Sequence, residues 1–380
     1  MKHQHSDFVR RLDLDGAMIQ GPSGWQRVHL DLPLLLLLMG LCAAGLFILA
    51  SAAGEHQDYV RRQAAFMGIG LVVMVAAAQL PPRFLQRWAF VPYLGGVLLL
   101  VAVILVGSGA KGAQRWLDFG FMRFQPSEIL KIGGPLMLAS YLGQRHLPPR
   151  FLDVVVAVIL LVVPALLVGL QPDLGTALLI FAAGFFVIFL AGLGKRYLFS
   201  AVLTGLALAP VFWFFLLHDY QKTRILTLLD PQADKLGAGW NIIQSTTAIG
   251  SGGLYGKGWR EGTQSQLDFL PESHTDFIIA VLAEDFGLVG VALLTGLYLL
   301  IMFRGLMIAI NAQTMFGKLL AGSLTLTFFV YIFVNMGMVS GILPVVGVPL
   351  PFVSYGGTAI VTLMLGFGML MSISTEKQRT

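Results

Sequence analysis

Charge and cysteine are both scarce in this chain. Asp, Glu, Lys and Arg together make up 12% of its 380 residues, about half their share in soluble globular domains, which excludes a molecule whose whole surface faces water. The one cysteine, Cys42, lies inside an apolar run, which excludes an intrachain disulfide and a cysteine-based metal site. The glycine-rich stretch "GSGGLYGKG" misses the Walker pattern, because Ser251 stands where its first glycine belongs and Gly258 follows Lys257. Nucleotide binding is therefore not expected, although the glycine amides and Lys257 could cradle another phosphate. No internal repeat divides the chain.

What is abundant is hydrocarbon. Hydrophobic residues are 56% of the sequence. Runs near the length of about 20 apolar residues that crosses a bilayer recur at 32–53, 64–80, 88–106, 125–143, 151–170, 175–192, 197–217, 275–303, 319–341 and 356–373. The expected fold is all-α: ten transmembrane helices in one membrane domain, 31–374, after a polar segment, 1–30, and before a short tail, 375–380. "LASAAG" behind the first run resembles a signal-peptide cleavage site, but the polar stretch before that run and its length favour a retained first span. An even number of spans puts both termini on one side. With that side cytoplasmic, every inner segment is basic and 14 of the 25 Lys and Arg are inside, as the positive-inside rule expects.

The other 11 cations lie on or just beneath the outer face, nine of them within 107–131 and 218–274. Solvated loop charge and an anionic outer ligand both account for them. The 218–274 connection is too long to be idle, and its "TRILTLLD" and "NIIQSTTAI" carry apolar residues at helical spacing, as short interfacial helices do. Near the last span, "GILPVVGVPLPFVSYGG" holds Pro344, Pro349 and Pro351, which forbid a continuous helix. Non-helical backbone at membrane depth must be buried in protein or line a wet cavity, so a broken, re-entrant wall around an external pocket is expected.

Carboxylates are costly in hydrocarbon and mark functional positions there. "LPESHTDFIIAVLAEDFGLVG" opens the eighth span with Asp276 at its lip and Glu284 and Asp285 about 12 Å farther down, at 1.5 Å per residue. Ser273 precedes Asp276 by three positions, so a capping box explains Asp276 structurally. "KGAQRWLDFGFMRFQPSEILK" leads into the fourth span; Pro126 and Ser127 read as a helix start, which puts Glu128 and Lys131 on one face at i and i+3. A buried Glu–Lys pair costs desolvation, so it is either a clip between helices or part of an outer site shared with Asp276. In "QPDLGT", Asp173 is placed to cap the sixth span. Glu284 and Asp285 read as structural packing, and His274 as a rim residue.

Together with "LLDPQADKLGAGWNIIQS" and "GSGGLYGKGW", these blocks resemble the family of shape, elongation, division and sporulation proteins, from about residue 25 to the end. The resemblance, closest to the elongation branch, implies a ten-helix peptidoglycan glycosyltransferase. Such an enzyme polymerises lipid II on the outer face of the bacterial inner membrane and works with a class B penicillin-binding protein. It implies Asp276 as the catalytic residue, with Glu128 and Lys131 in the same cavity. Less directly, it implies Arg123, Arg115, Lys111, Lys257 and Arg224 as substrate-binding cations.

The chemistry fits. Outside the cytoplasm no nucleotide supplies energy, so the donor must already carry its leaving group, and a lipid pyrophosphate is one. Asp276 would take the proton of the acceptor's 4-hydroxyl, which attacks the donor's anomeric carbon and displaces undecaprenyl pyrophosphate with inversion. Cations would stabilise the departing phosphates. A divalent cation, magnesium or manganese, on Asp276 and Glu128 is compatible with this scheme, but no ligand spacing singles one out. No nucleotide cofactor and no nucleic acid partner are expected. Two rival classes are a lipid II flippase, which requires polarity through the whole bilayer, and a non-catalytic scaffold, which requires no carboxylate pocket.

Overall fold

The computed structural model describes residues 29–376 apart from 55, 107, 111–112, 119–122, 218, 235–236, 267–268 and 271. In chain order its helices are α1 (Leu32–Ala52), α2 (Asp58–Ala78), α3 (Pro82–Arg87), α4 (Phe90–Val106), α5 (Ser127–Leu142), α6 (Phe151–Gly169), α7 (Leu174–Leu190), α8 (Lys195–Val211), α9 (Asp219–Leu229), α10 (Ala238–Gly252), α11 (Thr263–Gln266), α12 (Ile278–Asn311), α13 (Met315–Val339) and α14 (Gly357–Ser374). Among the described residues, seven helices are long and apolar enough to cross a membrane: α1, α2, α6, α8 extended to Phe215, α12, α13 and α14. Two shorter apolar helices, Phe90–Leu105 and Leu174–Leu190, accompany them. Helices satisfy their backbone groups internally, which is what hydrocarbon demands.

The expectation of a purely helical chain needs one amendment. Three short strands, β1 (Ser108–Ala110), β2 (Ala113–Asp118) and β3 (Arg123–Phe124), form an antiparallel ribbon between α4 and α5. Helix ends follow local chemistry. Asp31 accepts the Leu34 amide at 3.1 Å to start α1, and Thr314 accepts the Gly317 amide at 3.1 Å to start α13.

A carboxylate closes the expected inner end. Asp31 accepts two hydrogen bonds from Arg304, at 2.6 and 3.1 Å, and a third from Ser374 at 2.5 Å. The start of α1, the far half of α12 and the end of α14 are thereby held at one level. At mid-bundle Phe328, Phe352 and Phe367 pack ring on ring, with centroids 5.2 to 6.4 Å apart.

The outer layer differs from the sequence expectation in two ways. First, α10 does not simply lie in the interface, since Ile242, Ser245 and Ala248 are buried and Ser245 donates to the Val339 carbonyl at 2.9 Å. Second, the glycine-rich loop is no phosphate cradle. Its Lys257 and Gly258 amides donate to the Glu284 and Asp285 carbonyls, both at 3.0 Å, and the Leu288 amide donates to Gly253 at 3.0 Å. Helix α12 breaks there, at Gly287, whose φ is 62°. Backbone lies on backbone, so side chains have no room: a Cβ on Gly252 would stand 1.9 Å from the Ala283 oxygen, and one on Gly256, whose φ is +81°, 2.1 Å from that of Asp285.

Gly256→Ala should therefore destabilise the fold by about 1–3 kcal/mol through overpacking alone, with left-handed strain added. Gly40→Ala, whose Cβ would meet nothing within 4 Å, should be neutral or stabilising. Thermal unfolding of both variants in detergent checks the contrast.

Candidate active site

Asp276 stands in a turn rather than on a helix. Helix α12 starts at Ile278 with Phe277 as its N-cap and no side-chain cap bond, so the expected capping box does not form and helix capping no longer explains the carboxylate. The turn is fixed through its backbone. Asn335, fully buried on α13, donates its side-chain amide to the Asp276 carbonyl at 2.9 Å and to the Val348 carbonyl at 2.8 Å. Ser354 donates to the Thr275 carbonyl at 2.5 Å, and the Tyr355 amide donates to the His274 carbonyl at 2.9 Å.

The partner in these contacts is the proline-broken segment between α13 and α14, non-helical as predicted. Its Gly347 has φ +75°, and a Cβ there would lie 3.5 Å from Asp276 Oδ2. The glycine lets bare backbone pass beside the carboxylate. Burial pushes the Asp276 carboxyl up, and the Glu272 charge adds to this while Arg224 of α9 opposes it; the result is about 6.

Glu128 and Lys131 sit where the sequence puts them, in the first turns of α5, paired at 2.6 Å and buried. The Lys131 ammonium is 5.6 Å from the centre of the Tyr331 ring. Among the described residues Glu128 Oε2 and Ser127 Oγ have no hydrogen-bond partner although buried. Lys131, Thr327, Tyr331 and Thr362 line a cavity of about 40 Å³, room for a water or two. Asp173 caps α7 as expected, accepting the Thr176 amide at 3.2 Å, and it also accepts Gln125 at 3.0 Å.

Two polar centres thus hang on consecutive turns of α13, Lys131 against Tyr331 and Asp276 on Asn335. Among the described residues no hydrogen bond or ion pair joins Asp276 to Glu128 or Lys131, and Asp276 does not line that cavity. Tyr331 lies eight residues before the C-terminal end of α13, roughly 12 Å at 1.5 Å per residue.

The remaining predicted cations divide. Arg224 is brought to Asp276, as its effect on that carboxyl shows. Lys257 is not a free ligand for substrate: it bonds Glu284 at 2.8 Å and Thr263 at 2.9 Å, because a fully buried carboxylate needs a counter-charge. Arg115 and Arg123 are located by backbone, on β2 and β3, and Lys111 lies outside the described residues.

Glu284 and Asp285 are buried and hydrogen-bonded within the protein. Glu284 accepts the Gln264 amide at 3.0 Å, and Asp285 accepts Ser51 at the end of α1. Both therefore pack at the level where α1 ends. Asn335 and Tyr331 went unnoticed in the sequence. An asparagine inside an apolar span is itself a costly polar group and could have been found by that rule; Tyr331 carries no such signal.

Asp276 and Glu128 fit poorly as joint ligands of a divalent cation. Glu128 already pairs with Lys131, and the charges acting on Asp276 are Glu272 and Arg224. Among the described residues no group of three or more His, Cys, Asp or Glu could hold a metal ion.

A family model described as cell cycle protein, FtsW/RodA/SpoVE, matches residues 29–379. The chain is 54% identical over 354 residues to the peptidoglycan glycosyltransferase MrdB of Escherichia coli K12, covering 93% of this chain and 96% of that one. It is 35% identical over 363 residues to FtsW of Geobacter metallireducens, covering 92% and 96%. Among solved structures, one chain of a peptidoglycan synthase complex that coordinates polymerization and crosslinking superposes with a TM-score of 0.80 at 32% identity, covering 91% of this chain and 97% of that one. The rod shape determining protein RodA of Thermus thermophilus gives 0.69 at 30% identity, covering 91% and 96%.

Lys131→Met leaves Glu128 buried and unpaired, and should cost about 3–5 kcal/mol; the double variant with Glu128→Gln should recover most of that. Chemical unfolding of the wild type, the two single variants and the double variant in one detergent measures the coupling. Additive losses would mean the two side chains do not act as a pair.

Proposed function

As this chain belongs to the FtsW, RodA and SpoVE family of cell cycle proteins, we propose that it polymerises lipid II into glycan strands with Asp276 as general base. It is a peptidoglycan glycosyltransferase embedded in the membrane. The observation that supports the base assignment is that Asp276, with no cap to make, is anchored by its backbone on Asn335 while its carboxylate, beside Gly347, takes no hydrogen bond among the described residues.

In the reaction the acceptor's 4-hydroxyl gives its proton to Asp276, and its oxygen bonds to the donor's anomeric carbon from the face opposite the leaving group. The carbon–oxygen bond to undecaprenyl pyrophosphate breaks, and the electron pair leaves with the phosphate. The anomeric centre inverts. A base best takes a proton when its own affinity lies near the working pH, and a carboxyl raised to about 6 is a stronger base than an ordinary one while still ionised at pH 7. Arg224 supplies positive charge beside it. The Glu128–Lys131 pair sets the field in the cavity below.

The architecture in this reading has ten membrane helices, adding Ser127–Leu142 and the two shorter apolar helices to the seven long ones. Both ends face the cytoplasm of the inner membrane, a placement supported by the Asp31, Arg304 and Ser374 cluster and by the basic inner segments. The site then opens to the periplasm. Identity of 54% to MrdB against 35% to an FtsW supports a role in cell elongation. A cross-linking class B penicillin-binding protein is the natural partner, as in the synthase complex that this chain resembles. A flippase is disfavoured because Glu284 and Asp285, the carboxylates expected to lie deepest, join the outer layer.

Asp276→Asn keeps the Asn335 contact, which is to the backbone, and removes the base. Polymerisation of lipid II in proteoliposomes should fall by about 100-fold or more, with the thermal midpoint preserved. For the wild type, protonation disables the base, so the rate should be flat near pH 7 and fall as pH drops through about 6. An Asn variant retaining a tenth of the rate would remove Asp276 from that role.

A further inference from the structure

Three aromatic rings stand beside the Asp276 turn, and nothing in the reaction above uses them. Tyr59, on the first turn of α2, stacks on His274 with ring centroids 4.6 Å apart and planes 23° from parallel. Tyr355 meets Tyr59 edge-on at 5.0 Å and 71°. The cluster and the carboxylate move as one piece, because the Tyr355 amide bonds the His274 carbonyl, Ser354 bonds the Thr275 carbonyl and Asn335 bonds that of Asp276.

All three residues are half-buried. Among the described residues no protein group hydrogen-bonds the Tyr59 or Tyr355 hydroxyl or the His274 ring. Tyrosines of a membrane belt also leave their hydroxyls to water, but such rings lie among headgroups. These face one another and the 272–276 turn, and Tyr355 also packs on the main core. Partly exposed rings with unused polar tips, held beside a carboxylate, match a pyranose ring, which has an apolar C–H face and a polar edge.

We propose that Tyr59, His274 and Tyr355 form a saccharide subsite that seats the acceptor sugar of lipid II, so that its 4-hydroxyl is presented to Asp276 two residues from His274. The proposal rests on the glycosyltransferase reading and adds the groups that recognise the sugar. Binding made by the sugar ring away from the reacting atoms acts on affinity and orientation rather than on the proton transfer.

The test uses the full-length chain in proteoliposomes with purified lipid II. Tyr59→Leu and Tyr355→Leu should each raise KM about tenfold with kcat within about twofold, and Tyr59→Phe, which keeps the ring, should stay near wild type. In the Asp276→Asn background the same leucine changes should weaken lipid II binding by the same factor, read as Kd without turnover. Should a leucine variant fail to fold, Tyr59→Trp and Tyr355→Phe should keep near-wild-type Kd, while Tyr59→Gln and Tyr355→Gln weaken it. Unchanged KM and Kd in the leucine or glutamine variants, or a fall in kcat and thermal midpoint with KM intact, would overturn the subsite. Normal turnover by Asp276→Asn would instead sink the base reading, and the Kd comparison would still judge the subsite.

Discussion

One side-chain amide holds the candidate site together. Backbone in a bilayer must find hydrogen-bond partners within the protein, and the proline-broken chain between α13 and α14 cannot supply them through a helix. Asn335 supplies two at once, to Val348 in that segment and to Asp276 in the turn before α12. An asparagine amide has two donors, and here both are used on carbonyls from different parts of the chain. Remove that bridge and the turn keeps only its Ser354 and Tyr355 bonds to that segment, while Asp276 loses its tie to the Val348 backbone. The cost of a polar residue in an apolar helix is thus offset by order in two segments that have no regular structure of their own.

The outer layer applies the same logic with different chemistry. Glu284 and Asp285 are fully buried; Lys257, Thr263 and the Gln264 amide, all between α10 and α12, bond the one, and Ser51 of α1 bonds the other. Glycines let that loop lie directly on the break in α12. Two motifs that invite a functional interpretation, a glycine-rich loop with a lysine and a pair of acidic residues, turn out to complete one another. Their shared task is to cover a helix interruption, and the phosphate chemistry suggested by the loop alone has no free amides left at Lys257 and Gly258 to perform it.

Much of the fold was legible because hydrophobic length is a direct physical requirement of the bilayer, so helix positions along the chain followed from it. The proline-rich break was legible for the same reason, since three prolines cannot lie in one helix. Boundaries shifted where tertiary packing decided them: α2 starts at Asp58 and takes in Arg61 and Arg62, and α12 runs on to Asn311. Glu128 and Lys131 paired as their spacing required. Capping by Ser273 and Asp276 did not form, because the turn answers to Asn335, a residue some sixty positions away that no local pattern connects to it. The role of Lys257 was likewise hidden, its partner Glu284 lying on another element; the strand ribbon before α5 pairs residues close in sequence and was simply missed.

The interruption of α12 at Gly287 has a mechanical consequence. Residues 278–285 are enclosed by protein on every side, whereas beyond the glycine Leu288, Val289 and Leu293 are exposed. Both sides of the break are tied to one loop, since the Lys257 and Gly258 amides bond the Glu284 and Asp285 carbonyls while the Leu288 and Val289 amides bond those of Gly253 and Leu254. The enclosed half of α12 therefore begins from a clamp made of protein, and the turn that precedes it inherits that fixed start.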